Sequence, residues 1–406
     1  MLNSTPGAAP SGAPARRRRP GPAVTAVAFA FWITMAGTTA PTPLYPLYGE
    51  ALGFSPFTVT VVFGVYALGV VAGLLSFGRL SDQIGRRPTL VAATVLSAVA
   101  AVIFLVTQDV AVLLAARVVS GLSAALVTGA ATAALTELIG PNARVRPATV
   151  ALFANMGGLA CGTLLAGILA DLAPEPLRTP WVVLGGLAVL GSLGVAAGRE
   201  SAVHRSGFTL RFQPLHVPGD IRAEFLRSAM AAGAGFAVLG VLTAVTGLFL
   251  GTLLHQPSHA LTGLVVFIAF ACTALGQLLI RVLKDAVALP AACLGLIAAA
   301  GLIALALATT WLVPLLIGAA VNGLATGVAL GQGIATITAR SAPRHRGASV
   351  STFFAILYTM LAVPAIGVGV LIHASSLRPA GEIFSAVVAA LALAVLLSLM
   401  AARRGR

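Results

Sequence analysis

Asp82, Arg86 and Arg87 stand close together in the stretch GRLSDQIGRRPTL, from Gly78 to Leu90, between two long apolar segments. No nucleophile or metal chemistry uses such a set; its chemistry is ionic. A carboxylate near a helix N-terminus gains roughly 0.3–1 kcal/mol, and more when partly buried, and Gly85 allows the positive φ of a tight turn. A short charged loop of this kind can hold helix ends together and release them, as a gate does; alternatively the charges only fix topology. Arg117 is the second conspicuous group, alone in an apolar segment. An arginine inside a bilayer costs at least ~2.5 kcal/mol, so it needs an aqueous or hydrogen-bonded neighbourhood. The competing reading is an arginine snorkelling to the membrane interface.

The elements that position these groups are membrane helices. The chain has 406 residues, 58% of them hydrophobic and only 9% charged, with a mean hydropathy of +1.00. A soluble fold cannot hide that much apolar surface. A spanning helix takes roughly 20 apolar residues, and twelve such segments are predicted: 23–42, 55–78, 88–107, 110–137, 147–172, 179–198, 225–253, 259–283, 286–308, 311–339, 347–373 and 380–402. The period-2 alternation of a membrane β-barrel is absent. The expected fold class is therefore an all-α membrane protein.

The formal net charge of +14 is explained by placement. Of 25 Lys and Arg, Arg117 lies inside a helix, and Arg178 and Arg378 fall in loops on one side; the remaining 22 fall on the other. That alternation puts both termini and the central loop in the cytoplasm, with arginines against anionic headgroups and no nucleic-acid role. Abundant Ala, Gly and Pro, with a single lysine, suggest a GC-rich bacterial genome and hence a bacterial cytoplasmic membrane. Residues 1–22, with Arg16–Arg19, read as a disordered basic tail, and the first helix is expected to be retained rather than cleaved.

The chain repeats itself. Arg144–Phe153 recurs 200 positions later as Arg344–Phe353, Leu177-Arg178 recurs as Leu377-Arg378, and Ser120-Gly-Leu-Ser123 resembles Asn322-Gly-Leu-Ala325. This duplication predicts two pseudo-symmetric six-helix bundles, 23–198 and 225–402, related by an axis along the membrane normal. A cytoplasmic linker at 199–224 joins them, and 403–406 form a short tail.

The Gly78–Leu90 loop resembles the G-x-L-[AS]-D-x-x-G-R-[RK] signature of the major facilitator superfamily. Gly78, Leu80, Ser81, Asp82, Gly85, Arg86 and Arg87 fill its defining positions. The resemblance implies that Asp82 caps the eleventh helix near Arg346-Gly347 and that Arg86 reaches Glu137, stapling the halves at their cytoplasmic ends. The second half has lost the signature, because Ile280 stands where Asp82 stands in the first. Arg117-x-x-x-Gly121 resembles the family's helix-four arginine motif, linked there to proton coupling; Arg117 would tune the protonation or orientation of a neighbour. Gly158–Gly167 resembles the exporter signature imperfectly, with Thr163 in place of its proline and Ala166 in place of a glycine. Small residues at these spacings also suit plain helix packing.

No Asp or Glu is expected at mid-membrane. The candidate substrate-cavity residues are Trp32, Thr38, Tyr45, Phe63, Tyr66, Asn155, Met156, Asn322, Phe354 and Tyr358, an aromatic and mildly polar set suited to amphiphilic or hydrophobic molecules. Pro41, Pro43 and Pro46 are expected to unwind the first helix near its outer end. The expected function is export of such compounds by alternating access, with proton antiport and a monomeric protein. The alternative is a proton-independent facilitator or a sugar or metabolite efflux permease. An enzyme is not expected. The six histidines are scattered, no H-E-x-x-H or phosphate-binding glycine loop occurs, and Cys161, Cys272 and Cys293 lack metal spacing. No metal or cofactor is expected.

Overall fold

The computed structural model describes residues 21–404 except 79, 141, 142, 144, 199–214, 218, 343 and 344. The basic tail with Arg16–Arg19, Arg79, the repeat residues Arg144 and Arg344, and most of the linker lie outside the described residues. Among the described residues there are fourteen α-helices and no strand. The first half comprises α1 (Pro22–Thr39), α2 (Pro41–Leu52), α3 (Pro56–Phe77), α4 (Leu80–Ile84), α5 (Arg86–Leu105), α6 (Val110–Ile139), α7 (Pro147–Leu172) and α8 (Thr179–Ala196). The second comprises α9 (Arg222–Thr252), α10 (His259–Leu279), α11 (Asp285–Thr309), α12 (Leu312–Arg340), α13 (Arg346–Ala374) and α14 (Leu377–Arg404). Twelve spans are long and apolar enough to cross a membrane, α1 and α2 together making the first and α4 none.

Helix starts follow local chemistry. Proline occupies the first turn of α1, α2, α3, α7 and α8, where its missing N–H costs nothing. Asp109 accepts from Val112 N at 2.8 Å to cap α6, and Ser258 accepts from Leu261 N at 3.1 Å to cap α10. The expected unwinding at Pro41, Pro43 and Pro46 is confined to a break at Ala40, between the end of α1 and the start of α2. Ala40 keeps an αR backbone, Pro41 and Pro43 begin α2, and Pro46 alone sits inside it, so the first span runs on to Leu52. Prolines at a helix start leave unused only donors that have no helical acceptor.

The small-residue stripes are packing faces. Gly121 of α6 lies against the backbone of Tyr66 and Gly69 in α3, and Gly327 of α12 lies against Thr273 and Gly276 in α10. Gly158 and Gly162 of α7 face Trp32 and Ala36 of α1, within their own half. The opposite side of α7 faces the other half. There Gly167 meets the His259 carbonyl and Gly263 meets the Thr163 carbonyl, so a Cβ at either glycine would collide with backbone. The two halves meet along α7 against α10 and α3 against α13.

Candidate functional site

Three places along the interface between the halves carry polar groups: the end bearing the Gly78–Leu90 loop, a chamber midway, and the far end. At the loop end, Gly85 adopts φ 106°, which a side chain would strain, and this turn starts α5 at Arg86. The Arg86 guanidinium lies 2.5 Å from Asp82 Oδ1 and 3.1 Å from Glu137 Oε1, and donates to Ser81 Oγ at 2.7 Å. Arg87 donates to the Ala196 carbonyl at the end of α8. Asp82, Arg86 and Glu137 thus form one network inside the first half.

Among the described residues, no hydrogen bond joins Asp82 to the eleventh helix. That helix is α13; its N-cap residue His345 makes no side-chain cap bond, and Arg346 and Gly347 form its first turn. Asp82 is instead engaged by Arg86, four residues along the same turn, with its side chain 61% exposed. A cross-half contact at this end is Arg281 Nη2 donating to Thr149 Oγ1 at 2.7 Å. Exposed ion pairs contribute up to about 1 kcal/mol. Glu137→Gln is therefore expected to lower the melting temperature more than Asp82→Asn, because the Glu137 side chain is 34% exposed. Scanning fluorimetry in detergent reads this; a larger shift for Asp82→Asn would place Arg86's main partner wrongly.

Arg117 does not snorkel. It is 1% exposed in α6, donates to the Thr38 carbonyl at 2.7 Å and to the Val62 carbonyl at 3.4 Å, and sits 4.5 Å from the Tyr66 ring centroid and 6.0 Å from that of Phe63. Backbone carbonyls and aromatic faces hold this cation; no ion pair with Asp or Glu is found for it among the described residues.

The same Phe63 and Tyr66 rings line a chamber of about 60 Å³ together with Thr38, Asn155, Met156, Phe354 and Tyr358. Seven of the ten candidate cavity residues therefore share one space. Tyr66 of the first half and Tyr358 of the second line this one space. The other three lie elsewhere. Trp32 packs against Gly157 and stacks on Phe29, Asn322 is fully buried beside the Gly235 carbonyl, and Tyr45 lines a separate vestibule of about 670 Å³ toward the far end. Sequence reasoning missed Phe236, Thr243, Phe270 and Thr273 from α9 and α10, which complete the chamber wall. Nothing in the all-round apolar pattern of α9 marks which face turns inward.

The far end holds a feature that the residue pattern did not assign. Asp171, at the end of α7, accepts from His259 N at 3.0 Å, Ala260 N at 2.9 Å and Ser258 Oγ at 2.9 Å, and its Oδ1 lies 2.7 Å from His259 Nδ1. A carboxylate of one half thus caps the first turn of α10 in the other, where unpaired N–H groups and the helix dipole favour an anion.

Residues 27–255, more than half of the chain, match the family model described as Major Facilitator Superfamily. The chain belongs to the major facilitator superfamily. It is accordingly a multi-pass membrane transporter rather than an enzyme. Solved structures with the same fold include the nucleoside transporter NupG, at 13% identity and TM-score 0.70, covering 94% of this chain and 99% of that one. A bacterial homologue of the human lysosomal transporter Spinster matches at 16% identity and TM-score 0.71, over 93% of this chain and 97% of the other. The human organic anion transporter MFSD10 matches at 17% identity and TM-score 0.64, over 93% and 99%. No curated protein matches the chain in sequence.

Proposed function

We propose that this transporter exports small amphiphilic or hydrophobic compounds from the bacterial cytoplasm by alternating access, driven by proton antiport. The observation that supports a substrate of this kind is the aromatic, mildly polar wall of the central chamber, drawn from both halves. The end bearing Asp82 is the cytoplasmic one on this reading, as the arginine distribution requires. Asp82 is exposed, and the side chain of His345, the N-cap residue of α13, makes no cap bond. We assign their pairing, at Arg346-Gly347, to the opposite conformational state, in which the cytoplasmic ends close.

One observation favours the second reading, a proton-independent facilitator. Among the described residues, no Asp or Glu lines the central chamber, so no carboxylate there carries a proton past the substrate. Proteoliposomes separate the two. Antiport predicts that an imposed pH gradient of one unit, worth about 1.4 kcal/mol per proton, accelerates substrate flux several-fold. Facilitation predicts the same flux with and without the gradient, and that result would remove the proton from the mechanism.

A further inference from the structure

We propose that the central chamber selects amphiphiles carrying a negative charge, a carboxylate or sulfonate on an apolar body, and that Arg117 sets this preference. The inference rests on the reading of the chamber as a site for amphiphiles and narrows its substrate class. Arg117 stands behind the chamber wall: its guanidinium lies 4.5 Å from the centroid of Tyr66, whose ring is part of that wall. Its polar partners are the carbonyls of Thr38 and Val62, which are neutral. The full positive charge is therefore buried without an ion-pair partner among the described residues, in surroundings where charge interactions are far stronger than in water.

The electrostatics of the wall point the same way. No acidic side chain among the described residues lines the chamber, whereas Glu50 and His259 line the separate far-end vestibule. An ammonium group brought into the chamber meets a like charge across one ring, with no acidic side chain among the described residues of the wall to offset it. A carboxylate supplies the missing counter-charge.

The test uses the full chain in lipid nanodiscs and three probes of one shape: naphthylacetate, naphthylacetamide and naphthylethylammonium, with binding read by calorimetry. The expected result is carboxylate bound at least about tenfold more tightly than ammonium, with the amide between. Arg117→Gln is expected to reduce that ratio to about threefold or less while amide binding persists, and Arg117→Lys to preserve it. Equal binding of the charged probes by the unaltered protein, or a ratio untouched by Arg117→Gln, overturns the inference while leaving an amphiphile chamber in place. Binding of none of the three overturns the chamber reading itself, and this inference with it. The charge series on the unaltered protein decides the matter even if the Arg117 variants do not fold.

Discussion

Asp171→Ala is expected to loosen the far-end contact between the halves and raise the accessibility of the α7–α10 interface. The carboxylate takes two backbone N–H groups and the Ser258 hydroxyl from the other half at 2.9–3.0 Å. Removing it leaves the first turn of α10 with orphan donors. Two such bonds to a charged acceptor are worth about 2–3 kcal/mol together, which shifts the balance between closed and open far ends roughly 30- to 150-fold. Thr163→Cys is a suitable reporter, because Thr163 is fully buried at this interface and donates to the Gly263 carbonyl at 3.1 Å. With Cys161, Cys272 and Cys293 replaced by serine, labelling by an impermeant maleimide should accelerate by at least tenfold in the Asp171→Ala background. Asp171→Asn should fall between, since one amide oxygen still accepts. Unchanged labelling in both variants would mean that glycine packing alone holds this end shut.

Trp181→Ala is expected to cause the largest loss of stability among single substitutions in the first half. Trp181 is 1% exposed, stacks on Phe104 with centroids 4.0 Å apart and planes 6° from parallel, and donates from Nε1 to the Tyr48 hydroxyl at 2.8 Å. It therefore ties α8 to α5 and to α2. Truncating a buried tryptophan costs about 3–5 kcal/mol, and the freed Tyr48 hydroxyl adds to the cost. Trp181→Phe keeps the stack and loses the hydrogen bond, about 1 kcal/mol. Thermal unfolding in detergent should rank wild type above Trp181→Phe, and Trp181→Phe well above Trp181→Ala. Equal melting temperatures for the two variants would assign the stabilisation to the hydrogen bond rather than to the stack.

How far the site was legible depended on sequence separation. Arg86 finds Asp82 because both lie in one short turn, a local relation that spacing reveals. Glu137 is 51 positions away, and its role came from resemblance to a motif rather than from spacing. The chamber residues were legible as a type, aromatic and mildly polar. Their sorting was not: Trp32 and Asn322 turn into helix packing while Thr38, on the same helix as Trp32, reaches the chamber. In a membrane helix, lipid-facing, buried and cavity-facing positions are all apolar, so periodicity loses the contrast that marks a core face in water. Asp171 illustrates the opposite case. It is an unremarkable acid at a helix end, and its partner was hidden because the first turn of α10 comes 87 residues later.

Twelve membrane spans of this chain follow from composition and segment length alone, because burying so many apolar residues needs lipid and each span must satisfy its own backbone. Its duplication and its Gly78–Leu90 loop likewise placed it among two-bundle transporters. Which polar groups meet across the halves, Asp171 with the start of α10 and Arg281 with Thr149, emerged from the packed helices alone. Those meetings follow from how the helices pack, with backbone carbonyls lying against Gly167 and Gly263 where α7 crosses α10.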